Sequence, residues 1–380
     1  MLLRISPTAI VILVGSVAAI PPNIMPVLSA ELVRQYSLSD AQLGYFVAAG
    51  TLAGAIASLS APYWVSRVRL QWLILGSLLL YACAIHALPV APSVSLLYAL
   101  QFLLGGCLVV ISSICSSVLL RRPNPARTMS LKISSDVVIA SAFLFLLPVS
   151  FLGLNGLVGA VSLCFVVGMG VAFFWPKEND RMAPRPVSAE QISRAPMGAW
   201  WVLATLVVFY TAGVSGWNYL GRLAMHAGLD VKQSSSAIAV GLLLGIIGSL
   251  GAAALAGRFR TIWPETVSGL VFAGSVVALG TVKGFVPFLV AALLFNIAWN
   301  FFIPYLMGLL AWHDHSGRLS TLLPATAMLG GVVGPPITGN LMQYASYDVA
   351  MYVMGGLAAC SIVSYFVLAQ HKARTHTATL

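Results

Sequence analysis

Apolar residues run through this chain in long stretches, and short polar interruptions cut them into lengths that suit one membrane crossing each. A spanning helix takes about 20 mainly apolar residues. On that ruler the breaks define twelve segments: 8–33, 40–62, 71–91, 94–120, 128–152 and 154–175, then 198–223, 233–257, 265–282, 285–312, 319–345 and 348–369. The alternation of a β-barrel does not fit, because runs such as Ala237 to Leu255 are apolar on all sides and strewn with glycine. Backbone polar groups in lipid must be satisfied internally, so the pattern predicts an all-α integral membrane protein of twelve transmembrane helices.

Composition points the same way. The 380 residues are 59% hydrophobic and 8% charged, whereas roughly a quarter of an ordinary soluble domain is charged. Soluble enzymes, secreted disulfide scaffolds and nucleic-acid binders are therefore poor readings. The five cysteines, Cys83, Cys107, Cys115, Cys164 and Cys360, fall inside apolar runs without CxxC spacing and read as small packing residues.

The net charge of +10 has a membrane explanation. Fifteen lysines and arginines fall on one set of loops and tails and four on the other, Arg34, Arg222, Lys232 and Lys283, leaving Lys132 inside a span. Cytoplasmic loops are the enriched ones. Both termini are thus expected in the cytoplasm, with the chain multi-pass in the cell's inner membrane. The apolar run Ala9 to Ile20 is followed by Pro21-Pro22-Asn23 within a longer apolar stretch, which suits a broken first span better than a signal-peptide cleavage site.

The one long polar stretch, Lys177 to Arg194, holds Pro184, Pro186 and four basic residues and divides the spans into two sets of six. The expected organisation is an N-terminal six-helix bundle over 1–176, a cytoplasmic linker over 177–197, a C-terminal six-helix bundle over 198–370 and a cytoplasmic tail over 371–380. An internal repeat supports it. Arg67-Val68-Arg69 after the second span matches Arg258-Phe259-Arg260 after the eighth at an offset of 191 residues, and the same offset carries Arg127 onto Arg318.

With that repeat in hand, the whole chain resembles the major facilitator superfamily of transporters. Its loop signature, Gly-x-x-x-Asp-Arg-x-Gly-Arg between spans two and three, looks worn here as Pro62-Tyr63-Trp64-Val65-Ser66-Arg67-Val68-Arg69, and Gly251 through Arg260 in the second half is closer to it. The Arg-x-x-Gln-Gly of drug:proton exchangers is reduced to Gln101-Phe102-Leu103-Leu104-Gly105, and Phe143-Leu144 stands where their Gly-Pro pair falls. The resemblance implies two pseudo-symmetric six-helix bundles and a transporter rather than an enzyme, without the drug-antiporter signatures.

Arg67, Arg69, Arg258 and Arg260 lie at cytoplasmic helix ends. There they either anchor topology or, by meeting helix carbonyls and lipid phosphates, bias one conformation over another, a gating role. Gly44, Gly50 and Gly54, with Gly241, Gly245 and Gly248, form small faces for close helix packing.

Ionisable groups inside a span are expensive and mark function by default. Asp136 lies nine residues past Arg127, roughly 13 Å into the membrane at 1.5 Å per residue. It is the candidate proton-coupling residue, taking and releasing a proton as access alternates; the alternative pairs it with Lys132, four residues earlier, as a structural ion pair. Lys132 either snorkels to the interface or faces the cavity and holds an anionic solute. Further candidates for substrate contact are Asn296, Trp299 and Asn300 at i, i+3 and i+4 of span ten, Tyr305 beyond them, Trp217 and Asn218 in span seven, Asn23 after the double proline and Gln101 in span four. Amides and rings at mid-membrane depth suit a planar polar solute, though Trp and Tyr also form interfacial belts and Asn also glues helices.

His313-Asp314-His315 has metal-like spacing but no further ligand cluster, and His86 in span three reads as a core histidine. No phosphate loop is present, and neither a metal nor a cofactor is expected. The expected function is a secondary active transporter of a small organic solute, aromatic or carboxylate-bearing, coupled to protons and working as a monomer by alternating access. Its partners are the solute, protons and the lipid bilayer, not nucleic acid. An efflux carrier for amphipathic compounds is the alternative within transport, and a polytopic membrane enzyme or sensor is the alternative of another class.

Overall fold

The computed structural model describes residues 6–64, 68–122, 125–146, 149–176, 196–255, 263–314 and 319–378. Among them are twelve α-helices: α1 (Pro7–Tyr36), α2 (Asp40–Trp64), α3 (Leu70–Ala84), α4 (Val94–Leu119), α5 (Pro125–Leu146), α6 (Val149–Ala172), α7 (Met197–His226), α8 (Val231–Leu255), α9 (Trp263–Thr281), α10 (Phe285–His313), α11 (Leu323–Tyr344) and α12 (Tyr347–Ala378). Short 3-10 turns extend α3 over Ile85–Val90 and precede α11 over Leu319–Leu322. Strands are absent from the described residues.

Ten of these helices are long and apolar enough to cross a membrane. The other two, α9 and α11, carry Glu265 and the Pro335, Pro336, Asn340 group, which dilute their hydropathy. The expected boundary at residue 153 corresponds to a break in helical geometry, where Gly153 takes φ 59° inside α6. At the far end α12 continues to Ala378, through the segment expected as a tail.

Two compact units emerge, one of Met1–Leu38 with Phe46–Pro186 and one of Ser39–Tyr45 with Val187–Leu380. Within the first, α1 packs on α4, α5 and α6, and α3 on α4 and α6. Within the second, α7 packs on α11 and α12, α8 on α10, and α9 on α10 and α12. Small residues set these contacts. A Cβ at Gly105 would collide with the backbone of Gly50, and one at Gly248 with the carbonyl of Ile297, so α2 meets α4 and α8 meets α10 backbone to backbone. Glycine spacing read as a packing face therefore has physical partners.

Two local expectations change. The first span is not broken at its double proline: α1 is one helix across Pro21, Pro22 and Pro26. Proline removes the donors that would serve the carbonyls of Val17, Ala18 and Pro22, and beside them Asn23 Nδ2 donates to Ala19 O at 2.8 Å, a side-chain bond back onto the helix's own backbone. His86 is an exposed residue of the 3-10 turn rather than a core histidine, because α3 tightens ahead of Pro89. That turn is tied down by Tyr36 Oη, which donates to Leu88 O at 2.5 Å, and Gln35 Nε2, which donates to Pro89 O at 2.6 Å.

Candidate functional site

The first unit holds a buried ion pair. Lys132 and Asp136 stand one turn apart on α5, and Lys132 Nζ donates to Asp136 Oδ2 at 2.5 Å. Side-chain exposures are 9% and 14%, so Lys132 does not snorkel to an interface; it turns inward onto the carboxylate. The second carboxylate oxygen accepts from α1, with Ser16 Oγ 2.8 Å from Oδ1. Next to Ser16, Gly15 makes the room: a Cβ there would stand 3.2 Å from both Lys132 Cε and Cys115 Cβ of α4. Three helices thus converge on one neutral pair, the Lys132–Asp136 pairing that the four-residue spacing offered as an alternative.

Gln101, in the same unit, lies over Gly50 of α2, its Nε2 2.7 Å from where a Cβ would sit. Asn23 is spent on the α1 backbone, as described above. Arg69 is exposed and begins α3 with its backbone, its carbonyl accepting from Trp72 N and Leu73 N. Arg67, Arg258 and Arg260 lie outside the described residues.

The second unit centres on Trp299. Its ring has Phe209, Tyr210, Phe272 and Phe295 at centroid distances of 5.4–5.8 Å. It covers Gly213 of α7, where a Cβ would fall inside the indole. Phe209, Phe272 and Phe295 are fully buried and Tyr210 nearly so, so this box is a packed aromatic cluster in which Trp299 alone is partly exposed. Asn296 and Asn300 take a different side of α10: their Nδ2 groups donate to Ala292 O and Asn296 O, both at 2.9 Å, and stand 3.0 and 2.8 Å from the Cβ positions of Gly241 and Gly245 on α8. Tyr305 also reaches α8, donating to Ala252 O at 3.2 Å. Asn218 is buried and donates to Val214 O, beside the half-buried Trp217. The i, i+3, i+4 spacing thus splits, with Trp299 in the aromatic box and both amides in the α8 interface.

A polar cluster in the second unit was not singled out by the sequence. Asp40, in the first turn of α2, accepts from Arg222 Nε at 2.8 Å on Oδ1 and from Tyr347 Oη at 2.8 Å on Oδ2. Tyr219 Oη donates to the Asp40 carbonyl at 2.6 Å and lies 3.2 Å from Pro335 O, while Ala41 N donates to Gln343 Oε1 at 3.3 Å. The His226 ring stacks on Tyr347 at 4.4 Å. These bonds, with Gly44 pressed onto the backbone of Pro335 and Pro336, explain why 39–45 belongs to the second unit. Asp40→Ala is expected to lower thermal stability in detergent by about 3 kcal/mol, because Arg222 is left as an uncompensated, largely buried charge. Tryptophan-fluorescence melting checks this, and Asp40→Asn, which keeps an acceptor for Tyr347, should fall between.

Asp314, read in a metal-like triplet, instead caps the next turn: its Oδ2 accepts from Leu319 N at 2.6 Å. His315 lies outside the described residues. No group of three metal-binding side chains occurs among the described residues.

A helical, multi-pass membrane protein with a buried ion pair in one unit and an aromatic box in the other is the class defined so far. No protein-family model matches the chain, and no curated protein sequence matches it. Solved structures do. A bacterial homologue of the human lysosomal transporter Spinster, in an inward-facing and occupied conformation, matches at TM-score 0.71 and 16% identity, with 96% of each chain covered. A mutant of the nucleoside transporter NupG matches at TM-score 0.75 and 10% identity, over 96% of this chain and 100% of that one. The chain shares its all-α fold with these solved transporters.

Proposed function

We propose that this protein is a secondary active transporter that carries one small organic solute across the inner membrane by alternating access, as a monomer with both termini cytoplasmic, and couples that movement to protons at Asp136. The observation that carries the reading is the Ser16–Asp136–Lys132 group. A membrane protein that needed only stability gains little from a buried ion pair, since packed apolar side chains of the same volume serve as well or better. Its presence at mid-span, in a fold shared with solved transporters, fits a group that changes charge during a cycle. Trp299, the partly exposed member of its box, supplies the apolar contact for a ring, with Trp217, Asn218 and Gln101 as neighbouring polar candidates in their own units. Arg69, with Arg67, Arg258 and Arg260, is assigned to biasing the cycle from the helix ends.

Counterflow in proteoliposomes tests this directly. Vesicles loaded with unlabelled solute from a panel of nucleosides, aromatic acids and heterocycles should transiently accumulate the matching labelled solute. Chemical conversion of a panel member without counterflow would instead support a membrane enzyme. Counterflow confined to amphipathic dyes would support the efflux alternative.

A further inference from the structure

The charge balance around Asp136 narrows the solute. Lys132 and Asp136 are largely buried, and together they carry no net charge. Among the described residues, the charged and titratable groups facing Asp136 are Lys132 on α5 itself and Cys115 on α4, while α1 contributes the Ser16 hydroxyl. Protonating Asp136 alone would leave the ammonium of Lys132 as a lone buried cation, a costly state in a low-dielectric interior. A proton therefore needs a companion that restores neutrality.

Two companions do so arithmetically. A monoanion entering with a proton leaves a carboxylic acid, an ammonium and an anion, with a sum of zero. A monocation entering while Lys132 loses a proton also sums to zero. The hydrogen bonds choose between them. A hydroxyl donates to a carboxylate and accepts from a carboxylic acid, so Ser16 keeps its bond to Asp136 in either protonation state. Lys132 has no comparable support: its one side-chain hydrogen bond among the described residues is to Asp136 itself. The surroundings accommodate a proton arriving on Asp136, not one leaving Lys132.

We infer that the solute is a monoanion, held by the Lys132 ammonium in place of the Asp136 carboxylate, and that one proton travels with it on Asp136, so that the loaded carrier moves no net charge. This rests on the reading of Asp136 as the coupling group. In one cycle the proton passes from the outer solution to an oxygen of Asp136, Lys132 transfers its ion pair from that carboxylate to the anion, and both steps reverse on the inner side. Ser16 is a positioning residue: it holds the carboxyl group while the charge on it changes.

Solid-supported membrane recording combined with internal pH measurement reads both charge and protons in the same proteoliposomes. The probes are nicotinate, phenylacetate and mandelate, each compared with its amide and its corresponding amine. Carboxylates should move with one proton each and no current, at a rate indifferent to an imposed potassium diffusion potential. Lys132→Gln should weaken their apparent affinity roughly 100-fold, as expected when one partner of a buried charge pair is truncated, and Lys132→Arg should recover part of it. Ser16→Ala should move the pH midpoint of uptake without changing the charge carried, and Ser16→Thr should restore it. Carboxylate uptake that carries current, or failure of every carboxylate to move, overturns the monoanion. Uptake of an amide or amine with a proton flux lost in Asp136→Asn overturns the monoanion and leaves the proton-coupled reading standing. Uptake with no Asp136-dependent proton flux overturns that reading itself.

Discussion

Replacing Asp136 by asparagine abolishes proton-driven accumulation of solute and leaves downhill exchange measurable. The substitution keeps the size of the side chain and an acceptor for Ser16 Oγ, which bonds Oδ1 at 2.8 Å, but removes the only site in that cluster where a proton is expected to ride. It also leaves Lys132 permanently charged and unpaired, so anion binding should persist or tighten while release slows. For one proton per monoanion the accumulation ratio is bounded by the imposed proton ratio, and in the variant it should fall to unity. Labelled uptake with and without a protonophore measures it. Asp136→Glu, which retains the proton site at a changed distance from Lys132, should keep part of the coupling.

Gly213→Val should be the most damaging packing change in the second unit, at about 3 kcal/mol or more. A Cβ at that position falls within the Trp299 ring, and the ring cannot retreat, since Phe209, Tyr210, Phe272 and Phe295 surround it at 5.4–5.8 Å. The expectation is specific because it is reversible. Trp299→Leu vacates the volume over Gly213, so Gly213→Ala should be markedly less harmful in a Trp299→Leu background than in the wild type, a coupling that thermal melting of the four proteins measures. Additive losses would mean that the two residues do not share that space.

Much of the fold was legible because lipid imposes one ruler on every helix. The twelve apolar stretches correspond to α1 through α12, and a lone glycine between two of them, Gly153, proved to be a left-handed break. Departures arise where a helix answers to its neighbours rather than to lipid. The double proline in α1 is accommodated within one continuous helix, and α12 runs on to Ala378 with neither glycine nor proline after Gly356. For the site, an acid and a lysine four residues apart in an apolar run announced themselves, but the direction of Lys132 depends on the room made by Gly15 on another helix. Asn296 and Asn300 share a helix face with Trp299 on a helical wheel, yet the glycines of α8 draw the amides aside. Asp40 stands in a first helical turn, where an acid is favourable at any helix N-terminus. Its partners, Arg222 and Tyr347, lie 182 and 307 residues away, a pairing that no local pattern encodes.

The most direct test of the account is internal pH in proteoliposomes under an imposed inward gradient of solute, comparing wild type with Asp136→Asn. Solute-driven acidification of the lumen is expected in the wild type and absent in the variant, while the variant still binds solute. Equal acidification in both, or solute movement without any proton movement in the wild type, would contradict proton coupling at Asp136 and return that residue to a structural role.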